Sequence, residues 1–253
     1  MREHGANDHL LRIGAVGDFH CRGPEDVQEL TEIFTVAARE CDVLLLAGDM
    51  TTHGQPEQMR EFVRLLSGVD IPVLAVLGNH DHETDQAAAV AAVLKEAGVQ
   101  VLDGDAAIIQ GVGFVGTKGF GGGFGRHALA SFGERETKAF VDAAIAEVLK
   151  LEIALADLRT ETKVVLLHYT PIPDTLGAEP EQIWPFLGSS RLLPPIETYG
   201  VSVVFHGHAH IGIPEAQTPQ GVPVFNVALP VLRSLNLPLR IWSAPAPERR
   251  QSR

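Results

Sequence analysis

The apolar residues of this chain occur mainly as short runs that end at glycine or at a polar residue. Runs this short, bounded by turn residues, are typical of buried strands in a parallel sheet. Between these runs, apolar residues recur at helical spacing. The pattern predicts strands over 11–17, 43–47, 73–77, 163–167, 201–205 and 222–227, and helices from Pro24, from Pro56, and over 87–97, 134–157 and 189–199.

The middle of the chain has a different pattern. Residues 99–116 contain three short apolar runs separated by glycine turns, which predicts consecutive antiparallel strands. Asp85 is the predicted cap of the helix that follows it. A loop over 117–130 and one further short strand after Leu239 complete the predicted elements.

Strands alternate with helices at both ends of the chain, and no linker rich in proline or serine divides it. This order predicts an α/β fold, a four-layer α-β-β-α sandwich of two mixed sheets flanked by helices. We expect a single domain over residues 1–253, with flexible tails at 1–9 and 244–253.

Five of the apolar runs lead directly into side chains that can bind a metal ion. In open parallel sheets, ligands bind just beyond the carboxyl ends of the strands. Residues spaced i, i+2 on an extended chain point the same way, which predicts that two of these pairs each face one site. The candidates are Asp18 and His20, then Asp49, then Asn79, His80 and Asp81, then His168, and finally His208 and His210.

A set of carboxylate, amide and imidazole ligands suits a pair of divalent ions. Two such ions, held about 3.5–4 Å apart, can clamp an in-line displacement at phosphorus. The pair needs one bridging anion, and Asp49 is the lone ligand-type residue at the end of its strand. We therefore expect Asp49 to be the bridge.

In their order along the chain, these blocks resemble the signature of the calcineurin-like metallophosphoesterase family. That signature is D-x-H, G-D, G-N-H-D/E, a lone H, and G-H-x-H. It stands here as Asp18-Phe19-His20, Gly48-Asp49, Gly78-Asn79-His80-Asp81, His168, and Gly207-His208-Ala209-His210.

The resemblance implies a role for each residue. His80 would donate a proton to the leaving oxygen, with Asp81 holding its ring, and a hydroxide bridging the ions would attack phosphorus. The cofactors would be two divalent metal ions, Mn²⁺, Fe or Zn²⁺. One ion would be held by Asp18, His20, Asp49 and His210, and the other by Asp49, Asn79, His168 and His208.

The residues around these blocks bear on the substrate. Phosphoprotein phosphatases of the family continue the second block as G-D-x-x-D-R-G, whereas here Asp49 precedes Met50-Thr51-Thr52-His53-Gly54. That form resembles the bacterial cyclic-nucleotide phosphodiesterase branch. A phosphodiesterase acting on a small phosphate ester is the favoured function. The alternatives are a phosphomonoesterase and a non-catalytic interaction scaffold.

The bulk composition narrows the expected partners. A formal charge of −12 argues against binding to long nucleic acids. Two cysteines with no CxxC pair indicate a reducing compartment. No secretory signal and no membrane-length apolar run is visible, which predicts a cytoplasmic protein. The expected partner is a small-molecule phosphate ester, and a homo-oligomer is left open.

Several other residues carry two interpretations. His206 is interpreted as structural, while His53 and His82 are either surface histidines or contacts to a substrate phosphate. The glycine-rich segment 119–125 is either a mobile flap near the site or a flexible surface loop. Its Phe120 and Phe124 could stack on a base.

Overall fold

The computed structural model describes residues 10–244 of the chain. The strands are β1 (Leu11–Val16), β2 (Val43–Ala47), β3 (Val73–Val76), β4 (Gln100–Val101), β5 (Asp105–Ile109), β6 (Val112–Gly116), β7 (Lys163–Leu166), β8 (Val203–His206), β9 (Glu215–Gln217), β10 (Pro223–Asn226) and β11 (Arg240–Ala244). The helices are α1 (Pro24–Glu40), α2 (Pro56–Val63), α3 (Ala87–Glu96), α4 (Arg135–Asp157), α5 (Trp184–Leu187), α6 (Leu193–Thr198) and α7 (Leu229–Ser234).

The strands form two mixed sheets. The first has the order β11-β1-β2-β3-β4 and is parallel except for β11. The second has the order β5-β6-β7-β8-β10-β9, with antiparallel pairing only at its two edges. Helices cover the outer faces, so the predicted four-layer sandwich is confirmed.

The core lies mainly between the two sheets. All five residues of the central strand β2 are buried, as expected for a parallel strand covered on both sides. In the second sheet, successive residues of a strand point to opposite faces and pack in different hydrophobic clusters. Phe114 and Phe205 join the large cluster shared with the first sheet, whereas Val115 and Val204 join the cluster beneath α4 and α6.

The prediction of consecutive antiparallel strands over residues 99–116 is wrong in part. β5 and β6 do pair antiparallel, but β4 pairs parallel with β3 and so belongs to the other sheet. β4 has only two residues, and so short a strand has no sequence pattern that could indicate which strand it pairs with. The chain therefore crosses between the sheets at the turn before β5.

Other details of the helices also differ from expectation. Asp85 does not cap α3: the N-cap is Gln86, without a side-chain hydrogen bond, and Asp85 has a positive φ of 58°. The helix predicted over 189–199 is shorter, because a 3-10 turn occupies Ser190–Leu192 before α6. The sequence pattern made no prediction for β9 or α7.

The predicted tails fall almost wholly outside the described residues. Only Ala244 is described, and it is the last residue of β11 rather than part of a tail. None of the helices in the described part of the chain is both long and apolar enough to cross a membrane.

Backbone hydrogen bonds join the two sheets where their parallel strands end. The amide of Gly17, after β1, donates to the carbonyl of Val227, after β10, at 2.9 Å. The carbonyl of Gly17 in turn accepts from the amide of Leu229. The carboxyl ends of strands from both sheets therefore lie along one edge of the sandwich.

Replacing Leu45 by alanine tests the importance of the inter-sheet core. Leu45 is fully buried in β2, so Leu45→Ala should lower the free energy of unfolding by roughly 2–5 kcal/mol through lost burial and a residual cavity. Urea denaturation measures the change. The matched control is Ile108→Ala on the edge strand β5, where the side chain is 63% exposed and the expected change is within about 0.5 kcal/mol. Equal losses for the two variants would contradict this description of the core.

Candidate metal centre

The loops after β1, β2, β3, β7 and β8 meet at the edge where the two sheets join. Six of the seven predicted ligands form two groups in which one ligand atom from each residue lies within 4.8 Å of the others. The groups are Asp18 with His20 and His210, and Asp49 with His168 and His208. Each group could hold a metal ion.

The seventh predicted ligand, Asn79, lies beside the second group. Its Oδ1 is 2.9 Å from Nε2 of His168. An amide oxygen and an imidazole nitrogen at this distance could coordinate the same ion. The structure thus brings all seven predicted side chains to one place.

Left-handed backbone turns orient the candidate ligands. The prediction that residues spaced i, i+2 face the same way assumed an extended backbone, and that assumption is wrong here. Asp18, His20, Asp49 and His208 have φ values of 61°, 48°, 52° and 70°. Residues other than glycine adopt this region rarely, and such strain is concentrated at functional sites. His208 and His210 consequently face different groups although their spacing is i, i+2.

Two glycines are required because the ligand carboxylates pass directly over them. A Cβ on Gly78 would lie 2.5 Å from the backbone nitrogen of Asp49 and closer still to Oδ1 of that residue. A Cβ on Gly207 would likewise overlap the carboxylate of Asp18. The close packing of loop on carboxylate leaves no room for a side chain at either position.

Asp49 is the most constrained ligand. Its side chain is 1% exposed, and its Oδ1 accepts a hydrogen bond from the amide of His80 at 2.8 Å. Its Oδ2 is buried without a hydrogen-bond partner among the described residues. Burial alone would raise the pKa of Asp49, but the nearby charge of His168 holds that pKa below its usual range.

A buried carboxylate oxygen without a hydrogen bond is costly unless a cation lies beside it. Nε2 of His168 is 3.4 Å from Oδ2 of Asp49, and Nε2 of His20 is 4.0 Å from the same oxygen. These two histidines belong to different groups. The free oxygen of Asp49 thus faces both groups, as a bridging ligand must, and the residues fit a pair of metal ions.

Backbone carbonyls orient the two histidines of the second group. Nδ1 of His168 donates to the carbonyl of Ala47 at 2.8 Å, and Nε2 of His208 donates to the carbonyl of Phe186 at 3.1 Å. Because a carbonyl only accepts, each contact fixes a proton on one ring nitrogen. The other nitrogen is the one that a metal ion would bind, in His168 by displacing the proton that Asp49 stabilises there. Such contacts select the tautomer and the ring orientation that a metal needs.

The two rings have opposite electrostatic surroundings. Burial lowers the pKa of His168, but the charge of Asp49 outweighs it and raises that pKa to about 9. Burial lowers the pKa of His208 to about 4, helped by the charge of His168. His208 is therefore neutral and ready to bind a cation, while His168 partly balances Asp49.

The first group is built around Asp18. Both of its oxygens accept from the amide of His208 at 3.0 Å, and Oδ1 lies 3.1 Å from Nε2 of His210. The hydrogen bond with Asp18 raises the pKa of His210. Nε2 of His20 is 3.3 Å from Nε2 of His210, so two ring nitrogens converge on one point.

Asp81 does not hold the ring of His80, and the predicted contact is wrong. Asp81 is fully buried, where it accepts from the amide and hydroxyl of Thr51, from the amide of Gly78 and from the amide of Met50. Burial raises its pKa to about 6, and the charge of Asp49 acts in the same direction. Asp81 ties together the loops after β2 and β3, and those loops carry Asp49 and Asn79.

The ring of His80 is held by a group that the sequence did not suggest. Its Nδ1 donates to the carbonyl of Thr52 at 2.7 Å. The hydroxyl of Thr52 donates to the carbonyl of His20 at 2.6 Å, so one residue braces both histidines. The edge of one ring faces the other at 4.6 Å between centroids.

Thr51 and Thr52 are the main residues that sequence reasoning missed. A usable signal was present, since both follow Asp49 in a turn, and threonine hydroxyls in turns commonly bond to neighbouring backbone. The carbonyls of Ala47 and Phe186 left no sequence signal. Any residue type supplies a carbonyl.

The remaining histidines lie outside the two groups. His206 is fully buried, with Nδ1 donating to the carbonyl of Gly207 and Nε2 against the hydroxyl of Thr175, which agrees with a structural role. His53 pairs with Glu83 at 3.0 Å. His82 lines a separate cavity of about 330 Å³.

The glycine-rich segment is neither a free flap nor a simple surface loop. Residues 121–124 are buried. The amide of Gly122 donates to the carbonyl of Pro185, and the amide of Gly123 donates to that of Gly188. Phe120 lies beside the metal centre, whereas Phe124 packs near Trp184 in another cavity.

Comparisons with known proteins agree with this geometry. A family profile described as calcineurin-like phosphoesterase matches residues 11–212. No curated protein matches the chain.

Several solved structures share the fold. A phosphopantetheinyl hydrolase from Mycobacterium tuberculosis has 15% identity and a TM-score of 0.67, over 97% of this chain and 99% of that one. A purple acid phosphatase from yellow lupin has 14% identity and a TM-score of 0.53, over 81% and 38%. GAP50, described as the anchor in the inner membrane complex of Plasmodium, has 13% identity and a TM-score of 0.54, over 87% and 71%.

Removing the charge of Asp49 should affect both groups at once. Asp49→Asn cannot bridge two cations, so both ions should bind more weakly by more than about 100-fold, the upper end of losses seen when only a ligand's neighbour is removed. Elemental analysis after loading with Mn²⁺ or Zn²⁺, together with calorimetric titration, measures this. Asp142→Asn, at an exposed position of α4, is the matched control. Retention of a full pair of ions by Asp49→Asn would reassign the bridge to another residue.

Proposed function

Because the chain belongs to the calcineurin-like phosphoesterase family, we propose that it hydrolyses a small phosphodiester with the help of two divalent metal ions. The observation that carries the proposal is the buried Oδ2 of Asp49, which has no hydrogen bond within residues 10–244 and lies near a histidine of each candidate ligand group, 3.4 Å from His168 and 4.0 Å from His20. A pair of Mn²⁺, Fe or Zn²⁺ ions suits this mixture of imidazole and carboxylate.

Bound ions would polarise the phosphoryl oxygens and make a water molecule nucleophilic at mild pH. The protein's own contribution is to hold the ligands in place beforehand. Asp49 is held by the amide of His80, and Asp18 is held by the amide of His208. Preorganised groups of this kind need no rearrangement when charge develops during the reaction.

We assign His80 as the acid that protonates the leaving oxygen. Its Nδ1–H is engaged by the carbonyl of Thr52, so the proton transferred to substrate would come from Nε2. The side chain is 38% exposed and therefore accessible to a substrate. His20, Asp49 and His80 also form a third possible ligand group, but the first two groups already supply the ligands for a pair of ions.

The ion-pair partners of the two candidate carboxylate ligands favour a diester over a monoester. Within residues 10–244, the ion pairs of Asp18 and Asp49 all involve histidines, with no arginine or lysine among them. A monoester dianion carries more charge than a diester, and proteins commonly meet it with arginine or lysine. A phosphomonoesterase is the alternative within the same chemistry.

Other proposals concern the identity of the substrate, the alternative of a scaffold, the cellular location and the oligomeric state. The cyclic nucleotides suggested by the second sequence block remain candidate diesters, and the name of the mycobacterial structure adds phosphopantetheinyl esters. An interaction scaffold is less favoured, because all seven candidate ligands lie together in groups that could hold metal ions. The cytoplasmic location and the possible homo-oligomer stay predictions.

A panel of substrates tests the proposed activity. The metal-loaded protein should hydrolyse bis-p-nitrophenyl phosphate, and the panel should also contain cyclic nucleotides, a phosphopantetheinyl diester and phosphomonoesters. We expect kcat/KM to be higher for at least one diester than for any monoester. Preference for a monoester would select the alternative. No hydrolysis of any ester by a protein that binds two ions would favour the scaffold.

Substitution of His80 tests the proton donor. His80→Ala should lower kcat by about 10²–10⁴-fold on a dialkyl phosphate, whose leaving group needs a proton. The loss should be much smaller on bis-p-nitrophenyl phosphate, because p-nitrophenolate leaves without one. His127→Ala, an exposed histidine on another loop, is the control, and the metal content of each variant is measured alongside. Equal losses on both substrates would remove His80 from this role.

A further inference from the structure

A cavity of about 410 Å³ opens directly beside the second ligand group. Asn79 and His208 are among the residues that line it. Within the described part of the chain, no lysine, arginine, aspartate or glutamate lines it, and four of its nine lining residues are phenylalanine or tyrosine. The aromatic residues are Phe120, Phe140, Tyr169 and Phe186.

The aromatic rings form a continuous series that starts at the metal centre. The Tyr169 ring lies 4.5 Å from the His208 ring, and the Phe120 ring lies 5.8 Å from that of Tyr169. Phe140 follows at 4.9 Å from Phe120, and Phe186 at 6.0 Å from Phe140. A flat group entering the cavity would find ring faces and edges along its whole length.

Phe186 stands at the opening of this cavity with 58% of its surface exposed. Exposed large apolar side chains are ordinary when scattered, but several together beside a concave site mark a binding surface. Ile183, on the same segment, is also exposed and lines the same cavity. The solvent-facing apolar surface therefore continues inward to the ligands of the centre.

The wall of the cavity is fixed by backbone contacts. The carbonyl of Phe186 accepts from His208, and the carbonyl of Pro185 accepts from Gly122 at 2.6 Å. A Cβ on Gly121 would lie 2.5 Å from the same Pro185 carbonyl, so the glycine-rich loop must pack closely here. The segment with Pro185 and Phe186 thus shapes the cavity and also orients the candidate ligand His208.

The position of His80 indicates which part of a diester the cavity receives. The ring of His80 lies beside His20 of the first group, whereas the cavity adjoins His208 of the second. His80 is not among the residues that line the cavity, so the leaving oxygen that it protonates is assigned to the side of the first group. The ester arm that stays on phosphorus lies on the cavity side.

We propose that this cavity binds the retained arm of the substrate, and that this arm is an uncharged aromatic group. The inference rests on the proposed phosphodiesterase function and adds the chemical class of one substrate arm. Among residues 10–244, no lysine, arginine, aspartate or glutamate lines the cavity, and the nearby ammonium of Lys118 packs against the Phe120 and Tyr169 rings, at 4.8 and 5.2 Å from their centroids. The lining therefore favours an uncharged arm over one that carries a second phosphate, and the ring series favours a flat group over a sugar.

A series of diesters with one leaving group tests the proposal. Methyl, phenyl and 2-naphthyl p-nitrophenyl phosphates all release p-nitrophenol and differ only in the retained arm. We expect kcat/KM to rise by about 10- to 100-fold from methyl to 2-naphthyl, through burial of the added rings. Most of the change should appear in KM. Chromatography should recover 2-naphthyl phosphate as the product.

Variants of the wall locate the effect. Phe186→Ala and Phe140→Ala should each reduce the naphthyl-to-methyl ratio of kcat/KM by about 3- to 10-fold, as expected for the loss of one aromatic contact. Phe132→Ala is the matched control, since Phe132 is 82% exposed and does not line the cavity. It should leave both the ratio and the activity unchanged.

The outcomes separate this inference from the proposed function. Hydrolysis of all three esters at similar kcat/KM would overturn the inference and leave the phosphodiesterase intact. A naphthyl preference that survives both wall variants would also overturn it, because the contact would then lie elsewhere. No hydrolysis of any member by the loaded protein would overturn the proposed function and this inference with it.

Discussion

The burial of the Asp49 carboxylate is the constraint on which the whole site depends. One of its oxygens accepts a hydrogen bond from a backbone amide, and the other is buried with no hydrogen bond from any described residue. Leaving such a charge uncompensated costs several kcal/mol in a protein interior. The charge of His168 lowers the pKa of Asp49. Nε2 of His168 lies 3.4 Å from Oδ2 of Asp49, which is close enough for an ion pair. The charge of His168 compensates Asp49 in part, and a metal cation held by the surrounding histidines would complete the compensation.

The fold creates this arrangement by joining the carboxyl ends of strands from two sheets. Four of the ligands adopt the left-handed backbone region, and glycines lie beneath two of the carboxylates. Each of these features is unfavourable by itself. A large core between the sheets stabilises the loops that carry them. The same loops supply the hydrogen bonds of Asp81, so a residue near the reaction centre acts mainly by holding the backbone.

Known structures with this fold carry names as different as a hydrolase, a phosphatase and an anchor. Their low identity to this chain means that they establish the architecture alone. What separates an enzyme from a scaffold is the state of the site. Here the seven candidate ligands lie together around the buried Oδ2 of Asp49, which favours catalysis, and an aromatic cavity adjoins His208.

The sequence by itself determined most of the strands, the four layers and the candidate ligands, because each candidate follows a buried run and parallel strands end at the same edge of a sheet. It also placed Asp49 alone at its strand end, where the structure leaves one of its oxygens free. Only the tertiary structure decided that β4 joins the first sheet, that Thr52 rather than Asp81 holds His80, and that Phe186 borders the centre. These are contacts between segments far apart in the chain, made through backbone groups or by rings from separate loops. Spacing along a sequence encodes which face of an element a residue occupies, but not which distant segment will meet that face.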